Sequence, residues 1–308
     1  MTALYRALWK VTARKQVLLI VLSILLSGLA AAPLELQKDI INHLVDLGAV
    51  STLVWLALGF VAVTALSAGL KFAVEYRSAM LGEATIRLVR ERIYRTAAAQ
   101  PADDTGLQGG TLATMVSSEA EELGRFAGEA VATPLVRVGT LLTVLAYIAA
   151  QSWVLGLITA LVVIPQGLIA VLTQPQINLR VKRRVAALRT GTDLIAGDPA
   201  GATEARVIGA FGEIFEARRG IYRIKLSTKF LMNLLSGLGS ATILLLGGYY
   251  VIKGQSDVGT IVVALTGLGR AVQPWRELVM FYRRASMIGV RYEMLVDRLL
   301  PQAQSRPV

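Results

Sequence analysis

The sequence predicts an all-α membrane protein with six transmembrane helices and long cytoplasmic extensions. Apolar residues make up 54% of the 308 residues and charged residues only 17%, which is not the balance of an ordinary soluble domain. The apolar residues gather into six long runs, and nearly all basic residues fall between alternate runs. Because basic residues stay on the cytoplasmic side of a membrane, the pattern also predicts that both termini are cytoplasmic.

The runs define the predicted spans, and the segments between them alternate in charge. The runs cover 17–32, 53–69, 138–150, 153–172 and 230–252, and a weaker sixth run begins at Val258. Of the 32 Lys and Arg, only Lys38 and Lys253 lie in the predicted external segments, which are 33–52, 151–152 and 253–257. We divide the chain into an N-terminal interfacial helix (1–16), a six-helix transmembrane domain (17–300) and a polar tail (301–308).

Composition argues against several classes of function. The chain has no cysteine, so disulfides, thiolate metal sites and cysteine nucleophiles are excluded. His43 is the only histidine, and we expect a surface residue there rather than a metal ligand. The basic residues are dispersed and only 6% of residues are aromatic, so the net charge of +11 suits an anionic membrane leaflet better than nucleic acid.

The first apolar run has two interpretations. Arg14 and Lys15 precede it, and the alanines at 30–32 resemble the cleavage site of a signal peptide. The run is long for a signal core, which favours a transmembrane helix. The segment before it carries an apolar stripe at helical spacing, as in an interfacial helix.

The two long internal segments, 70–137 and 173–229, are predicted to be helical hairpins. Apolar residues recur at helical spacing in their arms, with basic residues on the remaining faces. A short stretch rich in Pro, Gly and Asp interrupts each segment once. An arm of about 25 residues would extend about 37 Å, which would place the tips where a soluble partner can bind them. Alternatively, the hairpins are simply solvated.

Polar residues in the third and sixth spans are the candidate substrate contacts. Arg270 lies about 18 Å from the start of the sixth run, beyond the middle of a core about 30 Å thick. An uncompensated Arg near that depth costs at least about 2.5–3.5 kcal/mol, so it should face protein or water. Arg137 lies about 20 Å from the outer end of the third span. The proposed pathway residues are Arg137, Thr266, Arg270, Gln273 and Glu277.

These residues again allow two interpretations. Two arginines at similar depth could hold an anionic headgroup or a carboxylate through bidentate hydrogen bonds. Alternatively, Arg270 pairs with Glu277 or Glu129 and fixes helix packing, while Arg137 extends toward the inner interface.

Several motifs, in order and spacing, resemble the transmembrane domain of type I ABC exporters. Gly110-Thr111-Leu112 follows a proline-containing tip and precedes Glu119 and Phe126; Asp is commoner in the family at the position of Glu119. The segment 204–213 resembles the family's sequence just beyond its second coupling helix. Val258-Gly259-Thr260 opens the sixth span, and 286–297 resembles the exit helix toward the nucleotide-binding domain. The resemblance covers essentially the whole chain.

The resemblance implies a permease subunit whose ATPase is a separate polypeptide or has been removed from this chain. The sequence contains no Gly-Lys pair and therefore no P-loop, so we expect no cofactor on this chain and ATP with Mg on a nucleotide-binding subunit. A second transmembrane subunit, identical or different, would complete the pathway in a bacterial inner membrane or plasma membrane.

By the same resemblance, two tips would couple the subunit to its ATPase. The implied coupling residues are Pro101, Ala102, Asp103, Asp104, Thr105 and Gly106 in the first tip, and Pro199, Ala200, Gly201, Ala202, Thr203, Glu204, Ala205 and Arg206 in the second.

Two other functions remain open. A membrane scaffold or receptor could use the hairpins to bind a partner without transport, although it would not need a buried Arg. A secondary transporter driven by an ion gradient is the other alternative, but Glu277 is the main acidic candidate for an ion relay in the predicted spans.

Overall fold

The computed structural model describes residues 2–98, 115–197 and 204–299, and these residues are almost entirely helical. The helices are α1 (Thr2–Gly28), α2 (Ala32–Val45), α3 (Val50–Ala98), α4 (Ala120–Gln151), α5 (Trp153–Gly197), α6 (Glu204–Ile252) and α7 (Val258–Leu299). A 3₁₀ turn, Leu29–Ala31, joins α1 to α2, and a π-helical turn, Met115–Glu119, precedes α4. The predicted all-α fold class is confirmed.

Five stretches of the described chain are long and apolar enough to cross a membrane. They are Thr12–Val45, Val50–Arg95, Val116–Gln151, Trp153–Thr192 and Arg206–Ile252. The sixth predicted span corresponds to α7, which begins at Val258 as expected but is not among the five. Arg270, Gln273 and Pro274 interrupt its apolar run, which explains its weaker apolar character.

The apolar segments continue into the charged segments as unbroken helices. α3 and α6 each contain 49 residues, which corresponds to about 73 Å at 1.5 Å per residue. A bilayer core is only about 30 Å thick, so more than half of each helix must extend beyond it. The long helical extensions predicted from the sequence are therefore present.

The first of two compact units contains the chain up to Ile148 and the chain from Glu277 onward. One apolar cluster joins Leu19 of α1 to Val74 and Leu81 of α3 and to Ala132 of α4. α1 runs from Thr2 to Gly28 without a break, so the predicted boundary between 1–16 and 17–300 rests on composition alone.

The second unit, Ala149–Arg276, is built on an antiparallel pair formed by α5 and α6. The first part of α7 packs against this pair. A Cβ at Gly239 of α6 would lie 2.5 Å from Val162 of α5 and 3.4 Å from Leu268 of α7, so the glycine allows three helices to meet closely.

Hydrogen-bonded turns connect the helices at the predicted outer ends of the spans. Between α2 and α3 the backbone of Leu47 has a φ of 51°, and the His43 ring contacts the Ala49 carbonyl at 2.9 Å. Between α6 and α7, Gly254 has a φ of 69° and the Gln255 amide donates to the Tyr250 carbonyl at 2.8 Å. This is the usual way in which a glycine ends a helix.

Candidate functional site

Two ion pairs join α4 to the part of α7 that belongs to the first unit. The Arg137 guanidinium pairs with the Glu277 carboxylate, and the Arg284 guanidinium pairs with the Glu129 carboxylate. The α4 partners are eight residues apart and the α7 partners seven, so each helix presents its pair on one face about two turns apart. The signs are exchanged between the two rungs, and we call these four residues the charge ladder.

The two rungs of the charge ladder differ in burial. The Arg137 and Glu277 side chains are 30% and 22% exposed, whereas those of Arg284 and Glu129 are 55% and 39% exposed. A half-buried pair is screened less by water than an exposed one, so the Arg137–Glu277 rung should contribute more to stability. The Glu277 carboxylate also neutralises the charge of Arg137, which is one of the two arginines predicted to contact substrate.

An apolar cluster continues the contact between α4 and α7. Phe126 is fully buried and stacks on Phe281, with ring centroids 5.9 Å apart. Ala285 and Ile288 of α7 and Ile93 of α3 belong to the same cluster. The segment that resembles an exit helix is therefore packed, through Ile288, against both α3 and α4.

Small residues bring α3 and α4 into direct backbone contact. A Cβ at Gly128 would lie 2.3 Å from the Ser78 carbonyl oxygen, and one at Gly124 would lie 2.7 Å from the Ile86 amide nitrogen. The Ser78 hydroxyl donates to the Gly128 carbonyl at 2.8 Å. Our sequence analysis missed this contact, although the four-residue spacing of Gly124 and Gly128 is a known signal for close helix packing.

In the second unit, α7 carries three of the predicted pathway residues. Thr266 donates its hydroxyl to the Val262 carbonyl at 2.9 Å, while Arg270 and Gln273 are exposed. Arg270 forms no ion pair with any residue that the structure describes. The described ion pairs of Glu277 and Glu129 are those with Arg137 and Arg284, and the pairing of Arg270 with either carboxylate stays an untested alternative.

Gln166 is a buried polar residue of the second unit that the sequence analysis did not single out. Its side-chain amide donates to the Met232 carbonyl at 3.1 Å and to the Ser236 hydroxyl at 2.8 Å, which links α5 to α6. Counted from the outer ends of their helices, Gln166 and Ser236 lie about 20 and 24 Å deep, close to the depth of Arg270. The sequence feature that could have indicated this contact is a single Gln within an apolar run.

Most of the predicted coupling residues lie outside the described residues. This applies to Pro101–Gly106 in the first tip and to Pro199–Thr203 in the second. Glu204, Ala205 and Arg206 form the first turn of α6, and the Arg206 side chain is exposed. Within the described ranges, no group of three or more His, Asp or Glu side chains is arranged to hold a metal ion.

Comparison with known proteins identifies the family. The family model for the ABC transporter transmembrane region matches residues 17–188, more than half of the chain, from α1 into the charged half of α5. No curated protein matches the chain. The matched region contains two of the five apolar stretches in full, most of two others, and the α3–α4 glycine contact. The chain is therefore an integral membrane protein that belongs to the ABC transporter transmembrane region family.

Proposed function

We propose that this chain is the transmembrane permease subunit of an ATP-driven exporter. The observation that carries the proposal is the family membership of a chain whose spans continue unbroken into long charged helices. Rigid helices of this length can transmit a push applied at the tips to the membrane segment. ATP and Mg would be bound by a nucleotide-binding subunit, and a second transmembrane subunit would complete the pathway.

The substrate pathway of this proposal is centred on Arg270. Its guanidinium is exposed, lies about 18 Å along α7 and has no carboxylate partner among the described residues. Such a group favours an anionic part of a substrate, such as a phosphate or a carboxylate. Thr266 and Gln273 would lie beside it on α7, whereas Arg137 and Glu277 would form a neutral pair in the wall.

The coupling step is assigned to the two tips. Residues 101–106 and 199–206 would dock on nucleotide-binding subunits, and closure of those subunits on ATP would push the helical arms together. α3 and α4 would carry the first tip's movement to α7 through the charge ladder and the Phe126 cluster. This movement would switch the substrate pathway from inward to outward access. In this arrangement both termini lie on the cytoplasmic side.

The direct test is affinity purification of the full-length chain from its native membrane in mild detergent. We expect an ABC-type ATPase to copurify in stoichiometric amount. Exchange of Asp103 and Asp104 for lysine should leave the complex assembled but separate ATP hydrolysis from transport. Glu75→Lys, an exposed change in α3 far from the tip, is the matched control. A crosslinked complex without an ATPase, or full transport by the tip variant, would contradict the proposal.

A further inference from the structure

The two helical hairpins differ sharply in charge. Residues 70–137 contain eight Lys and Arg and nine Asp and Glu, whereas 173–229 contain eleven Lys and Arg and only five Asp and Glu. In the topology predicted from the sequence both hairpins leave the membrane on the same side, so a general preference for basic residues on that side would make both of them basic. Of the two hairpins, only the second carries a basic excess, and this difference requires a separate explanation.

Ion pairing increases the contrast. In the first hairpin, neighbouring carboxylates neutralise Lys71, Arg87 and Arg125 at 3.8, 2.9 and 2.8 Å. In the described part of the second hairpin, Arg219–Glu216 is the one ion pair of this kind. Several basic residues there form no ion pair with a described residue. The six of them nearest the membrane are called the basic collar: Arg180, Lys182 and Arg183 on α5, and Arg223, Lys225 and Lys229 on α6.

The basic collar lies at and just beyond the depth of the lipid headgroups. Counted from Trp153 on α5 and from Ile252 on α6, its residues lie about 35–45 Å along the helices. The hydrocarbon core occupies about the first 30 Å, and the headgroup layer follows directly. Lys and Arg side chains can extend back toward that layer, and Lys229 is already within it. Exposed Phe230 marks the apolar edge.

One side chain of the collar reaches from one arm to the other. A Cβ at Gly220 of α6 would lie 2.1 Å from the Arg180 guanidinium nitrogen Nη1 and 2.8 Å from its Cζ. In this conformation the Arg180 guanidinium of α5 reaches across to the backbone of α6 beside Gly220. Arg180 therefore lies next to the α6 helix that carries Arg223, Lys225 and Lys229.

We propose that the basic collar binds the phosphate groups of anionic phospholipids in the leaflet that the second hairpin leaves. Unpaired cations at headgroup depth on two adjoining helices match a layer of lipid phosphates in charge and position. Fewer cations of the first hairpin are available to lipid, because Lys71, Arg87 and Arg125 are paired with carboxylates of the same hairpin. The inference goes beyond the proposed function and depends only on membrane insertion.

Spin-labelled phosphatidylglycerol and phosphatidylcholine in reconstituted phosphatidylcholine bilayers test the proposal. The fraction of each label immobilised by the full-length protein gives its lipid selectivity. For Lys182→Gln, Arg183→Gln and Arg223→Gln combined, we expect preference for phosphatidylglycerol to fall several-fold toward that for phosphatidylcholine. The matched control combines Lys71→Gln, Arg87→Gln and Arg125→Gln, which removes the same charge from the first hairpin and should keep the preference.

Four outcomes would overturn the proposal. The first is that the collar variant retains the lipid selectivity of the unchanged protein. The second is that the control variant loses as much of its preference for phosphatidylglycerol as the collar variant does. Loss of the preference on addition of free inorganic phosphate, but not of chloride at equal ionic strength, would indicate a site for a soluble anion. Loss of a copurifying ATPase with unchanged lipid selectivity would show that the collar is a protein-docking surface.

Discussion

At the α3–α4 crossing, Gly128 is the glycine whose Cβ would come nearest to a backbone atom of the other helix. A Cβ there would lie 2.3 Å from a backbone oxygen of α3, which cannot rotate away as a side chain could. We therefore expect Gly128→Ala to separate the helices, break the hydrogen bond from Ser78 and lower the free energy of unfolding by about 1–3 kcal/mol. The thermal unfolding midpoint of the subunit in detergent measures this.

Gly69→Ala, also in α3, is the control for Gly128→Ala. A Cβ at Gly69 would have no atom within 4 Å, and alanine is the better helix former by about 1 kcal/mol. Its unfolding midpoint should be unchanged or higher. Equal midpoints for the two variants would mean that the close backbone approach is not present in the folded protein.

Arg270 and Arg137 are chemically identical but should respond differently to substitution. Arg270→Gln removes an exposed cation without an ionic partner, so transport of an anionic substrate should fall while the unfolding midpoint stays the same. Arg137→Gln leaves the half-buried Glu277 carboxylate without its cation and should lower the midpoint. Transport assays and unfolding of both variants check this; a change in stability for Arg270→Gln would assign it a packing role.

The sequence predicts which polar residues occupy the membrane segments but not how they pair. Arg137, Arg270 and Glu277 were identified from depth and helical spacing alone. The pairing of Arg137 with Glu277 spans 140 positions, so only the three-dimensional packing of α4 and α7 selects it. Similarly, a single Gln in α5 gives no indication that Ser236 and the Met232 carbonyl will accept its hydrogen bonds.

For α4 and α7, the exchanged signs of the charge ladder fix the register of their contact. Arg137→Glu would place two carboxylates together in a half-buried position, and we expect a clear fall in the unfolding midpoint. Adding Glu277→Arg restores one charge of each sign and should recover most of the loss. A double-mutant cycle on the unfolding free energies measures the coupling.

The Glu129–Arg284 rung is the internal control for this cycle. Its side chains are more exposed, so its coupling energy should be smaller, about 0.2–1 kcal/mol. A swapped Arg137–Glu277 pair with no recovery at all would contradict a direct interaction between those side chains.

Helices are the elements that the sequence predicts best, because long apolar runs and helical spacing are strong local signals. Their limits are less well predicted. The external segment 33–52 was expected to separate two spans, but most of it forms α2. Pro33 lies in the first turn of α2, where a missing amide hydrogen costs nothing, and the Tyr147 hydroxyl donates to the Glu35 carboxylate. The hydrogen bond to Glu35 depends on Tyr147 of α4, so the sequence of 33–52 alone does not reveal it.

For the whole molecule, the number of membrane crossings depends on α7. Five apolar stretches can cross on composition alone, whereas α7 carries Arg270 and Gln273 in its middle. Such a helix is stable in a bilayer only if its polar face meets protein or water rather than lipid. Local hydrophobicity therefore cannot decide whether α7 crosses the membrane. The side of the membrane on which the C-terminus lies depends on that crossing.

The natural absence of cysteine allows a direct test of this crossing. Single cysteines at Ser51, Gln255 and Ser305 would report the α2–α3 turn, the α6–α7 turn and the C-terminal tail. With six spans, a membrane-impermeant maleimide should label Ser51→Cys and Gln255→Cys in intact cells and Ser305→Cys only after permeabilisation. Ser51→Cys controls for reagent access, and the unsubstituted chain controls for background. If α7 does not cross, Ser305→Cys will be labelled in intact cells together with Gln255→Cys, and Arg270 could then not lie in a transmembrane pathway.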